Sequence, residues 1–320
     1  MADPNLGVLL STTLKNYRPN LVDQIHKSNA VFFMLKEKGA VKEEDGGERI
    51  VQPLMYGKNS TAGSYSGYDT LDTTTQTGID AAEYNWKQYS ASITISGEEE
   101  RKNNGNKTKI IDLLDARTKQ ALASLKEQLG TGLFSDGTGN ANKDLTGLVA
   151  MVAATGTYGG ISATLYPWWQ AYASAVNGAL TIAVMRTAFN TPTLAGKDHP
   201  DLIVTTQARF ESYEALLTNF NANVSFATPS SDTKKLGDAG FQTLAFKGVP
   251  IVFDELCTSN AMYFLNTNHM KLVVHSDANF KTTDFVKPEN QDARVAQILF
   301  MGNLTCDRRK SFGVLTGLTS

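Results

Sequence analysis

Histidine and cysteine are few in this sequence, and no acid–base, nucleophilic or metal-binding group is spaced for chemistry. The four histidines are His26, His199, His269 and His275. His269 and His275 follow Cys257, but no HExxH, CxxC or His-rich cluster accompanies them. Ordinary strand or loop positions explain them, and neither a metal nor a cofactor is expected. Glu98, Glu99 and Glu100 stand side by side. Successive carboxylates do not converge on one point of a helix or a strand, and Arg101 and Lys102 follow as local counter-charges, so the run reads as solvated. No glycine cluster ends in Gly-Lys-Ser/Thr, and Gly159-Gly160 reads as a backbone turn. GSYSG (63–67) places Tyr65 where a nucleophile elbow needs serine, inside a polar loop. Trp168-Trp169 could stack bases, but after Pro167 the pair reads as the buried anchor of a helix start. Asp307-Arg308-Arg309-Lys310 is too short to specify a nucleic-acid patch and fits a salt-bridged interface equally well. Asn223-Val224-Ser225 is a glycosylation sequon that means little without secretion. No catalytic constellation remains, and an enzyme is not expected.

Composition narrows the class. The chain has 320 residues, 41% of them hydrophobic and 19% charged, as in a folded protein with two or three subdomains. A net charge of −2 gives no global basic field for gripping nucleic acid. No apolar run approaches the ~20 residues that cross a bilayer, and the N-terminus lacks the basic head of a signal peptide. Folding in the cytosol is expected, with Cys257 and Cys306 as reduced core thiols.

The elements organise around residues 106–134. Ile110, Ile111, Leu114, Ala121, Leu122, Leu125 and Leu129 recur at the three-and-four spacing of one helix face. Asp112, Asp115, Lys119, Lys126 and Glu127 form the other face, with Asp115 and Lys119 as a surface pair. Gly130 with Gly132 reads as the stop. Before this rod, residues 21–38 carry a short helical pattern and 36–48 a charged loop, together an arm that needs another surface to pack on. Residues 49–54 begin a strand, 56–82 are polar with almost no aliphatic side chains, and Tyr84 to Ile95 return as a strand. This predicts a two-stranded excursion with a polar tip, a form uncommon unless it binds something. After the rod come a Gly/Asn-rich turn region (135–148), a helical start at 180–194, a buried strand at 201–206 and a helix at 207–219. Strands follow at 244–255, 262–267 and 270–276, and strand-like pieces at 295–315 flank Gly302. The body is α+β. Extended parts expose backbone unless another chain receives them, which marks a subunit made to interlock with copies of itself.

In that order, the stretches resemble a tailed-bacteriophage major capsid protein of the HK97-like fold. The arm and polar excursion resemble its N-terminal arm and extended β-hairpin E-loop, and 106–134 its spine helix. LFSDGTGNANKDLTGL (133–148), TYGGISATLYPWW (157–169), PDLIVTTQARFESYEALL (200–217), KGVPIVFDE (247–255) and the stretch from 262 onward resemble segments of its peripheral and axial domains. The likeness implies an arm at 1–48, an E-loop hairpin at 49–98, and a peripheral domain at 99–165 with the spine at about 106–130. An axial domain at 166–255 and return strands of the peripheral domain at 256–320 follow.

The resemblance implies a structural head protein that self-assembles into pentamers and hexamers of an icosahedral capsid around double-stranded DNA. It would be resident in the virion and assembled in the host bacterial cytoplasm. Further partners implied are a separate scaffolding protein, since Met1 argues against a cleaved product, a portal and a decoration protein. DNA contact would be non-specific, and no membrane is involved. A Lys–Asn cross-link is not expected, because Lys58 stands alone in the polar loop. Inter-subunit contacts are expected at Lys58, Tyr65 and Tyr68 on the excursion, Arg101 and Lys102 before the rod, and Glu289, Asp292 and Arg294 in a loop at 288–294. The alternative is an encapsulin-type nanocompartment shell. A hydrolytic enzyme using Glu98 to Glu100 and a fibre-like adhesin are more distant.

Overall fold

The computed structural model describes residues 29–102, 107–194, 198–219 and 243–319. Its elements begin α1 (Ala30–Glu37), β1 (Val41–Glu44), β2 (Ile50–Met55), β3 (Ile79–Tyr84), β4 (Lys87–Ser96), α2 (Gly97–Lys102) and α3 (Lys107–Leu133). They continue α4 (Leu148–Met151), β5 (Thr157–Tyr158), β6 (Ile161–Ser162), β7 (Tyr172–Ala179), α5 (Ile182–Asn190), β8 (Leu202–Thr205) and α6 (Gln207–Asn219). The last are β9 (Thr243–Phe246), β10 (Val249–Phe253), β11 (Met262–Leu265), β12 (Met270–Thr282), β13 (Ala293–Cys306) and β14 (Gly313–Thr319). One sheet has the order β1-β12-β13-β4, another β7-β14-β11-β8-β10-β9, and β2–β3 and β5–β6 are separate ribbons.

The six-stranded sheet is covered on both faces, so its central strands read as unbroken apolar runs. Every residue of β8 and β11 is buried. Leu202, Val204, Tyr263 and Leu265 enter a core shared with α1, α3 and the four-stranded sheet. Ile203, Met262 and Phe264 enter a second core with Met185 and Phe189 of α5 and Phe210 and Tyr213 of α6.

The rod is α3, 27 residues long. Leu125 and Leu129 are buried, and Lys119 meets Asp115 at 2.6 Å. The side chains of Ile110, Ile111, Asp112 and Leu114 lie outside the described residues, as do His26, the helical pattern before residue 29 and the sequon at 223–225. Gly130 and Gly132 do not stop the helix, which runs on to Leu133. They are there for close approach: a Cβ on Gly130 would lie 2.5 Å from Leu256 Cδ1, and one on Gly132 2.7 Å from Tyr89 Oη.

Other expectations are corrected. The charged loop at 36–48 contains β1, parallel to β12 from Val41↔Leu272 to Glu44↔His275. The described part of the arm, from residue 29, has a place on its own body, because α1 buries Ala30, Val31, Met34 and Leu35 completely. Asn29 caps α1, accepting from Phe32 N at 2.6 Å, and the Asp254 carboxylate accepts from Ala30 N at 2.9 Å. The hairpin does not extend over 49–98. β2 pairs with β3, and the chain breaks step at Asn85-Trp86 so that β4 joins the four-stranded sheet beside β13. The run at 244–255 is a hairpin, β9 and β10, turned by Lys247 (φ 51°) and Gly248 (φ 81°). The return strands at 256–320 divide: β12 and β13 belong to the four-stranded sheet, β11 and β14 to the six-stranded one. Gly302 lies within β13, where a Cβ would sit 2.5 Å from Val273 O. Trp169 is buried as expected, but Pro167–Trp169 is one 3-10 turn leading into a strand, β7.

Candidate assembly surface

The β2–β3 ribbon presents two different faces. Ile50, Leu54, Ala82 and Tyr84 are buried, whereas Val51, Met55 and Ile79 are 55%, 82% and 76% exposed. The ribbon's base rests on residues 156–169. Glu83 N donates to Gly159 O at 3.0 Å, and Tyr84 Oη donates to Cys306 O at 3.0 Å. Gly159 (φ 59°) must be glycine here, since a Cβ would meet Ala82 and Tyr84 at 2.9 Å. Tyr56 stacks on Trp168 with ring centres 4.7 Å apart and planes 9° from parallel. Trp169 Nε1 in turn donates to Tyr158 O at 2.9 Å, fixing that platform.

Beyond the base the two arms close on each other, Tyr56 N and Gly57 N both donating to Gly78 O at 2.9 and 3.3 Å. From Lys58 to Thr77 every residue but Thr61 is exposed. Asn59, Ser60, Gln76, Ser66 and Asp69 bond within the loop. Tyr65, Tyr68 and Leu71 stand in solvent, as does Lys58. Large exposed side chains of this kind, when contiguous, mark interaction surfaces.

A second group of expected contact residues is brought together at the foot of α3. Arg101 Nη2 pairs with Asp292 Oδ2 at 2.7 Å, Lys287 reaches Asp292 at 3.4 Å, and Arg294 meets Glu100 at 3.1 Å. Glu289 is exposed on the adjoining turn, and Phe285 and Val286 are exposed nearby in sequence. The Lys102 side chain lies outside the described residues. The carboxylate run is not merely solvated with sequence neighbours for partners. Glu99 is held by Arg117 at 2.6 Å and is mostly buried, and Arg117 also donates to Thr94 O. Gly97 N donates to Asp292 O at 2.6 Å, so this cluster ties α2 to the turn between β12 and β13.

Two charged residues carry more than their sequence context suggests. Within the run at 307–310, Arg309 is 1% exposed and donates to Met151 O and Ala150 O, both at 2.7 Å. Its guanidinium lies 5.6 Å from the Tyr158 ring centre. Burial lowers its pKa. His269 points both ring nitrogens at carboxylates, Asp307 at 2.6 Å and Asp198 at 2.7 Å. Among the described residues no group of His, Cys, Asp and Glu is placed to hold one. Nothing local signalled either residue. An arginine inside a mixed charge run gave no indication of its burial, and the partners of His269 are 38 and 71 residues away.

A bracing long helix, a four-stranded sheet with a projecting ribbon, and a separate six-stranded sheet together form the HK97-like capsid fold. The cyanophage A-1(L) capsid subunit shares it with a TM-score of 0.70 at 20% identity, over 98% of this chain and 99% of that one. The capsid of a native GTA particle matches at 0.61 and 10% identity, covering 100% of both chains. The holo-SrpI encapsulin complex from Synechococcus elongatus matches at 0.61 and 11%, over 99% and 96%. No curated protein sequence matches the chain. The family model described as SU10 major capsid protein matches residues 68–319, and the chain belongs to that family. Its role is structural, as a major capsid protein of phage heads.

Proposed function

We propose that copies of this chain tile an icosahedral head as pentamers and hexamers enclosing double-stranded DNA, which they contact non-specifically. The observation that carries this reading is the loop from Lys58 to Thr77, which hangs in solvent with Tyr65, Tyr68 and Leu71 while Ile50, Leu54, Ala82 and Tyr84 at its base are buried. A neighbouring copy is the surface that covers it, through Lys58, Tyr65 and Tyr68. Arg101, Lys102, Glu289, Asp292 and Arg294 meet symmetry-related copies at the foot of the helix. A separate scaffolding protein, a portal and a decoration protein complete the head, built in the host bacterial cytoplasm. Negative-stain images of the purified protein should show capsomers or shells. Compact monomers alone, at high concentration and with scaffold present, would refute it. An encapsulin-type compartment shares the fold but holds cargo enzymes, so nuclease-protected nucleic acid in native particles separates the two.

A further inference from the structure

The chain passes between its two sheets twice in the last sixty or so residues. Residues 266–269 carry it from β11 into β12, and 307–312 carry it back from β13 into β14. His269 stands on the first crossing. Its Nδ1 lies 2.6 Å from Asp307 Oδ1 on the second crossing, and its Nε2 lies 2.7 Å from Asp198 Oδ2 on the segment before β8. Asp198 also accepts from Arg308 Nη1 at 3.1 Å and from the Asn266 amide. Beside His269, Thr267 donates through N and Oγ1 to Asp201 at 2.9 and 2.6 Å, and Asp201 accepts from Lys38 Nζ at 2.6 Å. Asp198 and Asp307 face the imidazole directly. Arg308 stands behind Asp198, and Lys38 with Asp201 closes the side toward α1. The His269 side chain is 21% exposed, so solvent weakens these contacts only in part.

A protonated imidazole donates from both nitrogens. A neutral one keeps a single N–H, and its other nitrogen turns a lone pair toward a carboxylate oxygen. We propose that His269 is a proton-operated clasp between the two sheets: charged, it locks both crossings and the segment before β8 together, and on losing its proton it releases one carboxylate and loosens the joint. The direction follows from its surroundings. The Asp307 bond raises the His269 pKa, burial opposes this, and the Asp198 bond and both carboxylate charges add to the rise. A histidine raised in the folded state contributes stability that is full below its ordinary value of about 6.5. That contribution is lost as pH climbs through the raised value. The joint is therefore tight in mild acid and slack in mild base.

Hydrogen exchange on the purified full-length protein, in the assembled form in which it is isolated, tests this. At about pH 6 and about pH 9, after correction for intrinsic exchange, protection over 266–270 and 306–312 should fall roughly 5- to 30-fold, the factor that one or two kcal/mol represents. His269→Gln should show the lower protection at both values and no response to pH. Should His269→Gln not fold, Asp307→Asn, which removes the carboxylate contributing most to the rise, should shift the loss of protection to lower pH. Equal protection of the wild type at both values, the same pH response in His269→Gln, or an unmoved transition in Asp307→Asn would overturn the clasp.

Discussion

Gly132→Ala sets two magnitudes against each other. In an unobstructed helix the change gains up to about 1 kcal/mol, because alanine loses less backbone freedom than glycine. Here the new Cβ would fall 2.7 Å from Tyr89 Oη and 3.3 Å from Leu145 Cβ. Tyr89 Oη is not free to retreat, since it accepts from Leu145 N at 2.7 Å. Displacing it leaves a part-buried N–H without an acceptor, at about 1–3 kcal/mol, and overpacking adds about 1–3 kcal/mol. The clash wins, and a net loss of about 1–5 kcal/mol is expected. Calorimetry should place Tm lower by roughly 1–2 °C for each kcal/mol lost. Tyr89→Phe removes the obstructing hydroxyl, so the double variant should lose less than the two single losses combined. A Gly132→Ala chain that melts higher than wild type would show that the helix end has room, and the reasoning would fail.

Arg309→Met strips buried carbonyls of Ala150 and Met151 of their donor, and urea unfolding should show a loss of about 2–4 kcal/mol, against under about 1 for Arg308→Met at the surface. Asp254→Ala should loosen α1, with hydrogen exchange rising over 30–37 and a loss of about 1–2 kcal/mol. Burial raises the Asp254 pKa against the pull of the Leu256, Ala30 and Val31 N–H groups. Its contribution is therefore full below about 3.8 and declines as pH rises through the raised value, so the gap between wild type and Asp254→Ala should widen on acidification. Trp168→Ala removes the stack under Tyr56, worth about 0.5–1.5 kcal/mol, and should speed exchange in β2 and β3 while leaving β8 and β11 unchanged.

What was legible in the sequence was local. The long helix at 107–133, the buried strand at 202–205, the helix at 207–219 and the Gly159-Gly160 turn each depend on neighbours within a few residues, and each stands where its pattern placed it. Strand partnership depends on distant residues and was not legible. Nothing between Tyr84 and Ile95 says that the chain changes sheets at Asn85-Trp86, since both halves alternate in the same way. Glycine carried two meanings, and only packing separates them: Gly130 and Gly132 look like a helix stop until Leu256 and Tyr89 are seen against them. Of the expected contact residues, the exposure of Tyr65 and Tyr68 was legible, because an aromatic in a stretch without aliphatic neighbours has no core to join. The pairing of Arg101 with Asp292 was not, since a turn 191 residues away supplies the partner.

β14 lies between β7 and β11, yet it is made after every other described strand. During translation β7 must wait beside a gap, and Phe312, Val314, Leu315 and Leu318 are not there to fill the interior on either side of it. A nascent chain thus cannot complete the six-stranded sheet, or fill the two interiors that meet on it, until β14 has been made.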